Sequence, residues 1–215
     1  DIGIAYGFEN FKEEIPKIDT IGYEDKFENF KEKISEILIG FGLMETNSYN
    51  LIGKQEQLGN MKIDANVVEI INSNEEFNTL RYWMIPSLLK VLSNNKHNEY
   101  PQKIFEIGNC YSIGKSETNV DEFSELGVMI SHNKADFTEA KQMLDSFLGL
   151  FGFEYGIEES DHKSFVSGRC AKIIAKGKEI AYMGEINPEI IVKFNLEMPV
   201  SGFELNLTEL FKLVE

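Results

Sequence analysis

Arginine is scarce in this sequence. Of the 21 lysine and arginine residues among 215, only Arg81 and Arg169 are arginines. The planar guanidinium group is the side chain that best grips phosphate oxygens at two points, so a site that must hold a triphosphate has few candidates here. Positive charge is also outnumbered, because 36 acidic residues leave a formal net charge of −15. A surface this acidic repels phosphate backbones, and we expect the chain to meet nucleic acid only within a larger assembly.

Long hydrophobic runs and paired cysteines are missing too. No stretch approaches the ~18 apolar residues of a membrane span, and the first residues lack the pattern of a secretory signal. Cys110 and Cys170 lie far apart without a CxxC spacing, which favours small buried side chains in a reducing compartment. We therefore predict a cytoplasmic protein without membrane contact. The first residue is Asp rather than Met, so we expect the sequence to be a piece of a longer protein.

Common catalytic and metal-binding motifs are absent as well. The three histidines have no HxxxH or HExxH partner, and the sequence contains no GxSxG, GxxxxGK[ST] or helix-opening GxGxxG motif. Neither cysteine has a histidine nearby in sequence, which leaves a spatial pairing open. Glu158, Glu159, Asp161 and His162 form one titratable cluster, which we predict to be a solvated turn, with a metal site as the alternative.

Hydrophobic periodicity predicts an α+β fold with a mainly antiparallel sheet flanked by helices. Apolar residues recur at steps of three and four over 27–41, which indicates an amphipathic helix that ends at Gly40 or Gly42. Residues 53–66 read as a polar insertion. The other predicted helices are 87–92, 137–151 and a short one after Pro188, and the predicted strands are 44–51, 67–71, 102–113, 125–131, 170–175, 180–184 and 200–207. Strands that follow one another through tight turns favour antiparallel pairing.

The first 23 residues predict a domain boundary. Residues 1–6 have the pattern of the last turns of a helix that Gly7 ends. A polar connector follows, with Pro16 and Gly22 as breaks. We predict that residues 1–23 are the tail of a preceding small domain with its connector, and that residues 24–215 form one further domain.

Several segments, in a fixed order, carry a resemblance to a known family. The longest runs are TLRYWMIPSLL at 79–89, NNKH at 94–97 and YPQKIFEIG at 100–108. The others are DIGIAYGFEN at 1–10, IGFGLMETNSYNL at 39–51, SGRCAKI at 167–173, GEINPEIIVKFNLEMPV at 184–200 and GFELNL at 202–207. In this order they resemble the phenylalanyl-tRNA synthetase beta subunits of the archaeal type, over most of the chain.

The resemblance implies a fold, partners and cofactors. The fold is that of the class II aminoacyl-tRNA synthetases, and the complex of two alpha and two beta chains charges tRNA-Phe with ATP and Mg²⁺. The alpha subunit carries the active site, so the beta domain is expected to be its non-catalytic scaffold, to meet tRNA only through the complex, and to hold no cofactor alone. In class II folds the helix at 27–41 and the strand after it form the dimer seam. The alternative is that the phenylalanines of this helix belong to the internal core.

The arginine positions argue against catalysis by this chain. Class II sites fix ATP phosphates with two arginines, because negative charge accumulates there during adenylate formation. One arginine lies in an Arg-x-Glu strand pattern. If Glu106 matches that glutamate, the arginine position holds Ile104, and Lys103 points to the opposite face of the strand. No arginine follows Arg169, so the second clamp is missing too.

We therefore predict structural roles for Glu106 and Arg81. We predict that Glu106 is hydrogen-bonded at the sheet surface or at the subunit boundary. For Arg81 we expect pairing with a carboxylate or with backbone carbonyls, and contact with a ligand is the alternative. Two other functions stay open: a free-standing ligand-binding or regulatory module with an amino acid or nucleotide in a degenerate cleft, and a working adenylate-forming enzyme.

One metal ligand follows from the resemblance alone. In the family, acidic residues on a helix just before an IAxxYGY pattern are assigned to a Mg²⁺ ion shared with the alpha chain. Asp1 stands directly before IGIAYG and matches the last of these acids. A helix-surface aspartate is the alternative. Because Mg²⁺ requires several oxygen ligands, we expect this piece to bind none by itself.

Overall fold

The computed structural model describes residues 1–15, 17, 21–152 and 154–214. Its α-helices are α1 (Ile2–Tyr6), α2 (Lys26–Gly40), α3 (Ile85–Asn94), α4 (Phe137–Gly149), α5 (Pro188–Lys193) and α6 (Leu207–Val214). Its strands are β1 (Met44–Glu45), β2 (Leu51–Ile52), β3 (Thr79–Leu80), β4 (Gln102–Ile113), β5 (Val120–Ser131), β6 (Tyr155–Glu159), β7 (Phe165–Ala175), β8 (Lys178–Ile186) and β9 (Val200–Asn206). None of the helices described has the length and apolar content to cross a membrane.

One seven-stranded sheet organises the fold. The strand order is β1-β4-β5-β9-β8-β7-β6, and β2 and β3 form a separate small antiparallel pair. Only the edge strand β1 runs parallel to its neighbour, β4; the other pairs are antiparallel. The prediction of an α+β fold with a mainly antiparallel sheet is therefore confirmed.

The two faces of the sheet bury different cores. On one face, which we call the helical face, α2, α4 and α6 pack against alternate strand residues such as Phe105, Val128 and Phe203. On the other face, α3 and α5 pack against a surface that carries Gly108, Gly127, Gly184 and Gly202. We call this second surface the glycine face. Side chains alternate between the two faces, so each strand contributes to both cores.

Helix ends follow the local sequence closely. Asp25 accepts hydrogen bonds from the backbone N–H groups of Phe27 and Glu28 at the start of α2, and Asp136 accepts one from Glu139 at the start of α4. Such N-caps satisfy backbone donors that a helix leaves without partners. After α2, Gly42 has a φ of 83°, a left-handed conformation that glycine adopts without strain.

Three predicted elements differ from the structure. The strand predicted over 44–51 is two short strands, β1 and β2, because the chain leaves the sheet edge after Thr46, whose N–H donates to the Phe105 carbonyl. The strand predicted over 67–71 is reduced to a single bridge, Glu69 with Thr79. The polar insertion contains a π-helical turn, Gln55–Gly59, and its Gln57 is fully buried.

The N-terminal residues pack chiefly on themselves. Helix α1 ends at Gly7, whose φ is 89°, and the Tyr6 and Phe11 rings lie 5.2 Å apart between centroids. Ile2, Ile4 and Phe8 are exposed. Pro16, part of the predicted connector, lies outside the described residues.

Candidate functional site

Strand register places a row of polar and glycine residues across the glycine face. Glu106 of β4 pairs with Gly127 of β5, which pairs with Glu204 of β9, which pairs in turn with Tyr182 of β8. In the adjacent row Gly108 pairs with Glu125. Three carboxylates therefore lie on one face of three adjacent strands, and all three residues are buried. Buried charges need partners, so the groups around them decide what this face can do.

Arg81 is the partner of Glu106. Its side chain is about 2% exposed, and its Nη1 donates to Glu106 Oε1 at 2.5 Å. The same nitrogen donates to Ser48 Oγ at 3.0 Å, and Nε donates to the Asn109 carbonyl at 2.7 Å. Ser48 Oγ in turn donates to Glu106 Oε2 at 2.8 Å. Three of the five guanidinium N–H groups are thus bonded within the chain, and Nη2 lies against Gly108, so the group is held by internal partners.

Glycines make room for this arrangement. A Cβ on Gly108 would lie 2.1 Å from Arg81 Nη2, and a Cβ on Gly127 would lie 2.6 Å from Met84 Cγ and 2.7 Å from Leu88 Cδ1. Atoms without a bond between them cannot approach that closely, so side chains from α3 and from the residues before it occupy the space that the glycines leave. The glycine face is filled by the chain itself.

Glu204 anchors the start of α3. Its carboxylate accepts hydrogen bonds from the backbone N–H groups of Met84 at 2.8 Å and Ile85 at 3.0 Å. A carboxylate at a helix N-terminus is favoured by unpaired N–H groups and by the helix dipole. Burial nevertheless raises the pKa of Glu204 to about 7. Burial, and then the Glu204 carboxylate, raise the pKa of Glu125 well above its usual range, and its partner is Asn206 Nδ2 at 2.8 Å.

Residues 79–84, which we call the strap, carry Arg81 over the sheet. Gln57, which is not part of the strap, holds it in place. Its Nε2 donates to Thr79 Oγ1 at 2.6 Å and to the Leu80 carbonyl at 3.0 Å. The Tyr82 N–H donates to Gln57 Oε1 at 2.8 Å. These bonds do not involve the Arg81 side chain, so the position of the strap has its own support.

The two other cations considered from the sequence, Arg169 and Lys103, lie elsewhere. Arg169 has a side chain 58% exposed and donates to Glu185 Oε2 at 2.7 Å, and this carboxylate raises the pKa of Arg169. Lys103 bonds Glu139 of α4 at 2.8 Å, which puts it on the helical face, as strand alternation predicts. Neither cation reaches the carboxylates of the glycine face, so Arg81 is the one arginine near a nucleotide placed there, and it is bonded to Glu106.

Two predicted residue roles can be compared with this geometry. Arg81 pairs with a carboxylate and with a backbone carbonyl, as predicted. Glu106 is hydrogen-bonded, as predicted, but the position predicted for it, at the sheet surface or a subunit boundary, is wrong: the residue is 1% exposed beneath the strap. The reason is Gly108, two residues along the strand, which admits the guanidinium beside it.

The predicted titratable cluster is partly a strand. Glu158 and Glu159 belong to β6, at the edge of the sheet. His162 leaves the cluster and stacks on Tyr182, with ring centroids 5.8 Å apart. The two glutamates are exposed, as predicted, but the turn predicted for them is wrong because they lie in a strand. Within the described part of the chain, no group of three His, Cys, Asp or Glu residues is placed to hold a metal ion, and Asp1 is exposed at the start of α1.

Sequence reasoning missed Ser48, Glu125 and Glu204. A signal was present for the two acids, because each stands at an inward position of an alternating strand, two residues from a glycine on the same face. Their partners lie far away in sequence: Glu204 binds N–H groups 119 and 120 residues distant. Spacing along the chain cannot reveal such pairs.

The edge of the sheet at β1 exposes several apolar side chains. Met44 on β1 is 70% exposed, and Ile39 and Tyr49 beside it in sequence are also exposed. A groove of about 320 Å³ runs next to β1, between Met44, Val91 and Ile104. An exposed edge strand with apolar neighbours is a common site of association with another chain.

Comparison with known proteins assigns the family. The family model of the phenylalanyl tRNA synthetase beta chain CLM domain matches residues 12–207. Phenylalanine–tRNA ligase beta subunits from Thermococcus gammatolerans and Pyrococcus abyssi are each 41% identical, over 98% and 99% of this chain and 39% of their own length. That of Methanocaldococcus jannaschii is 39% identical, over 96% of this chain and 38% of its own. The chain thus spans about two fifths of these relatives, and it belongs to the phenylalanyl tRNA synthetase beta chain CLM domain family.

Proposed function

We propose that this chain is part of the beta subunit of a phenylalanine–tRNA ligase, in which it is a non-catalytic scaffold that binds the alpha subunit. The activity of the whole complex is the ATP-dependent charging of tRNA-Phe. The chain has a class II synthetase-like fold in this proposal, with residues 1–23 as the tail of a preceding domain and residues 24–215 as the synthetase-like unit. The relatives that are named beta subunits support the role of subunit.

The observation that carries the non-catalytic role is the filled glycine face. Adenylate formation requires cations on the ATP phosphates, and loss of one charge-stabilising donor typically costs ~10²–10³ in rate. Here the single guanidinium near the face is bound to Glu106 and the Asn109 carbonyl. The residues present do not fit ATP, so its binding belongs to the alpha subunit.

The test of this role is ATP–pyrophosphate exchange with phenylalanine. The chain alone is expected to give no exchange above background, and the alpha–beta complex is expected to give it. Exchange by the chain alone would refute the proposal and support the adenylate-forming alternative. A clear rise in Tm with phenylalanine or ATP would favour a ligand-binding module instead.

Binding of the alpha subunit has its own test. The exposed apolar edge around β1 and the end of α2 supports a protein partner there. Mixed with the alpha subunit, the chain is expected to co-elute on a sizing column, with a complex that persists at 0.5 M salt (about the level that screens surface charges), because the contact is apolar. Separate elution of the two chains would contradict the scaffold role.

Asp1 is proposed as one Mg²⁺ ligand in the complex. Its residue is exposed and its side chain makes no capping bond with α1, so the carboxylate is available. Mg²⁺ requires about six oxygen ligands, and the others must come from outside the described residues. We expect the chain alone to bind no Mg²⁺ at millimolar concentration in calorimetry. The ion, when held by the complex, would supply a fixed positive charge there.

A further inference from the structure

The buried ionisable groups on the glycine face are mostly acidic, whereas a phosphate site requires cations. Glu106, Glu125 and Glu204 are buried there, and Arg81 is the one buried cation among the described residues of that face. An anionic ligand would meet carboxyl groups whose ionised forms repel it strongly in a medium of low dielectric constant. A cation is the ligand that the face can accept.

The acceptors around Arg81 fit a guanidinium group. The Asn109 carbonyl receives Nε at 2.7 Å, and Glu106 Oε1 and Ser48 Oγ receive Nη1 at 2.5 and 3.0 Å. Nη2 lies over Gly108, where a Cβ would be 2.1 Å away. Acceptors for two different nitrogens of a planar group that lies against a glycine favour a guanidinium over a compact ammonium ion.

The site is built from residues that do not depend on the Arg81 side chain. Glu106, Gly108 and Asn109 belong to β4, which pairs with β5 along its full length. Ser48 is bonded to Glu106 directly, at 2.8 Å to Oε2. Gln57 and the N–H of Arg81, which donates to the Asn50 carbonyl at 2.8 Å, hold the strap in place. The walls of the site should therefore persist when the side chain is shortened.

We propose that the glycine face holds a guanidinium-binding site, formed by Glu106, Ser48 and the Asn109 carbonyl over Gly108, whose resident occupant is the chain's own Arg81. The Arg81 side chain of the strap thus acts as a covalently attached ligand that fills this site. This site goes beyond the scaffold role and does not depend on the alpha subunit.

The test is chemical rescue of Arg81→Ala in the 215-residue chain. Loss of the guanidinium leaves Glu106 buried without its cation, which is expected to lower the Tm by roughly 10 °C. n-Propylguanidinium at about 10 mM is expected to recover part of that loss, by mass action on the folded state. n-Propylammonium, with the same charge and no fork, is expected to bind about tenfold more weakly.

Two control variants make the result specific. Arg169→Ala removes the exposed arginine of the Arg169–Glu185 pair, and its Tm is expected to be unchanged by n-propylguanidinium. In Arg81→Ala/Glu106→Gln the carboxylate is absent, and the rescue is expected to disappear. Equal rescue by the two cations, or rescue that survives Glu106→Gln, would overturn the proposal.

A further variant covers the case in which Arg81→Ala does not fold. Arg81→Lys keeps a positive charge near Glu106 but cannot donate as a fork, so it is expected to fold with a lower Tm than the native chain. A Tm equal to the native value would show that any cation suffices, against the proposal. Arg81→Lys could fold while n-propylguanidinium, added during refolding, recovers no folded Arg81→Ala. That result would also contradict the proposal.

Discussion

At the scale of single residues, the glycine face illustrates how buried carboxylates differ according to their partners. Glu204 accepts two backbone N–H groups at the start of α3, whereas Glu125 accepts one amide donor, from Asn206. Glu204 is the anion with more hydrogen-bond donors, and Glu125 is the group that keeps a proton. Two carboxyl groups this close in a buried site do not both ionise easily.

Stability is expected to fall as pH rises from 5 to 8 because of this pair. The folded pKa of Glu125 is raised by burial and by Glu204, so the unfolded chain releases this proton first and stability is lost as the pH passes the unfolded value. Glu125→Gln keeps an acceptor for Asn206 without the charge. Urea unfolding at each pH should give a smaller decline for this variant than for the native chain.

The exposed Glu32 supplies the matched control for the pH experiment. Glu32→Gln removes one surface charge of the same type, and its decline with pH should equal that of the native chain. Equal slopes for Glu125→Gln and Glu32→Gln would contradict the assignment of a proton to the buried pair.

Gly127 is the second residue-scale feature with a measurable consequence. Because a Cβ there would lie 2.6 Å from Met84 Cγ, Gly127→Ala is expected to lower the free energy of unfolding by about 1–3 kcal/mol through overpacking. Gly156→Ala is the control, since its nearest neighbour would be 3.9 Å away and its strand, β6, lies at the sheet edge. Urea denaturation that ranks the two variants equally would argue against a tightly filled glycine face.

At the scale of elements, β1 and the strap are tied to the same strand. Thr46, just after β1, donates through N and Oγ1 to the Phe105 carbonyl, at 2.8 and 3.1 Å. Ser48 reaches Glu106 on the same strand. The segment that presents the apolar edge is therefore held from inside by the network that fills the glycine face. Rigid support of this kind lowers the entropy that a partner must remove on binding.

Met44→Asp is expected to weaken the proposed binding of an alpha subunit. Met44 is 70% exposed, so the change leaves the fold intact but places a charge in an apolar contact. A rise of at least about tenfold in Kd, equal to ~1.4 kcal/mol of lost affinity, is expected by calorimetry or biosensor titration. Val192→Asp, on α5 and 74% exposed, is the control and should bind as the native chain does. The same Kd for both variants would place the partner elsewhere.

At the scale of the whole molecule, the sequence predicted the architecture better than the site. Alternating apolar residues predicted β4, β5, β7, β8 and β9, because an inward face every second residue is a local property. Strand β6 was missed since YGIEE lies at the sheet edge, where burial imposes no alternation. The pairing of Arg81 with Glu106 joins residues 25 apart through the fold, and such distances follow only from the register of the strands.

The net charge of −15 also makes a prediction for the whole chain. Alone, it is expected not to retard tRNA-Phe in a mobility assay at physiological salt, because its surface repels phosphates over a Debye length of about 8 Å. The alpha–beta complex should retard the same tRNA. Binding by the isolated chain that weakens as salt rises would reveal a basic patch and contradict this expectation.

The contact between Arg81 and Gly108 constrains how this chain can evolve. A larger residue at 108 would displace the guanidinium of Arg81. Loss of that guanidinium would leave Glu106 as an unpaired charge in the interior. Positions 81, 106 and 108 should therefore vary together in descendants of this sequence, with smaller or uncharged residues at 81 accompanied by a neutral 106. Single substitutions at any of the three should be rare in natural variants.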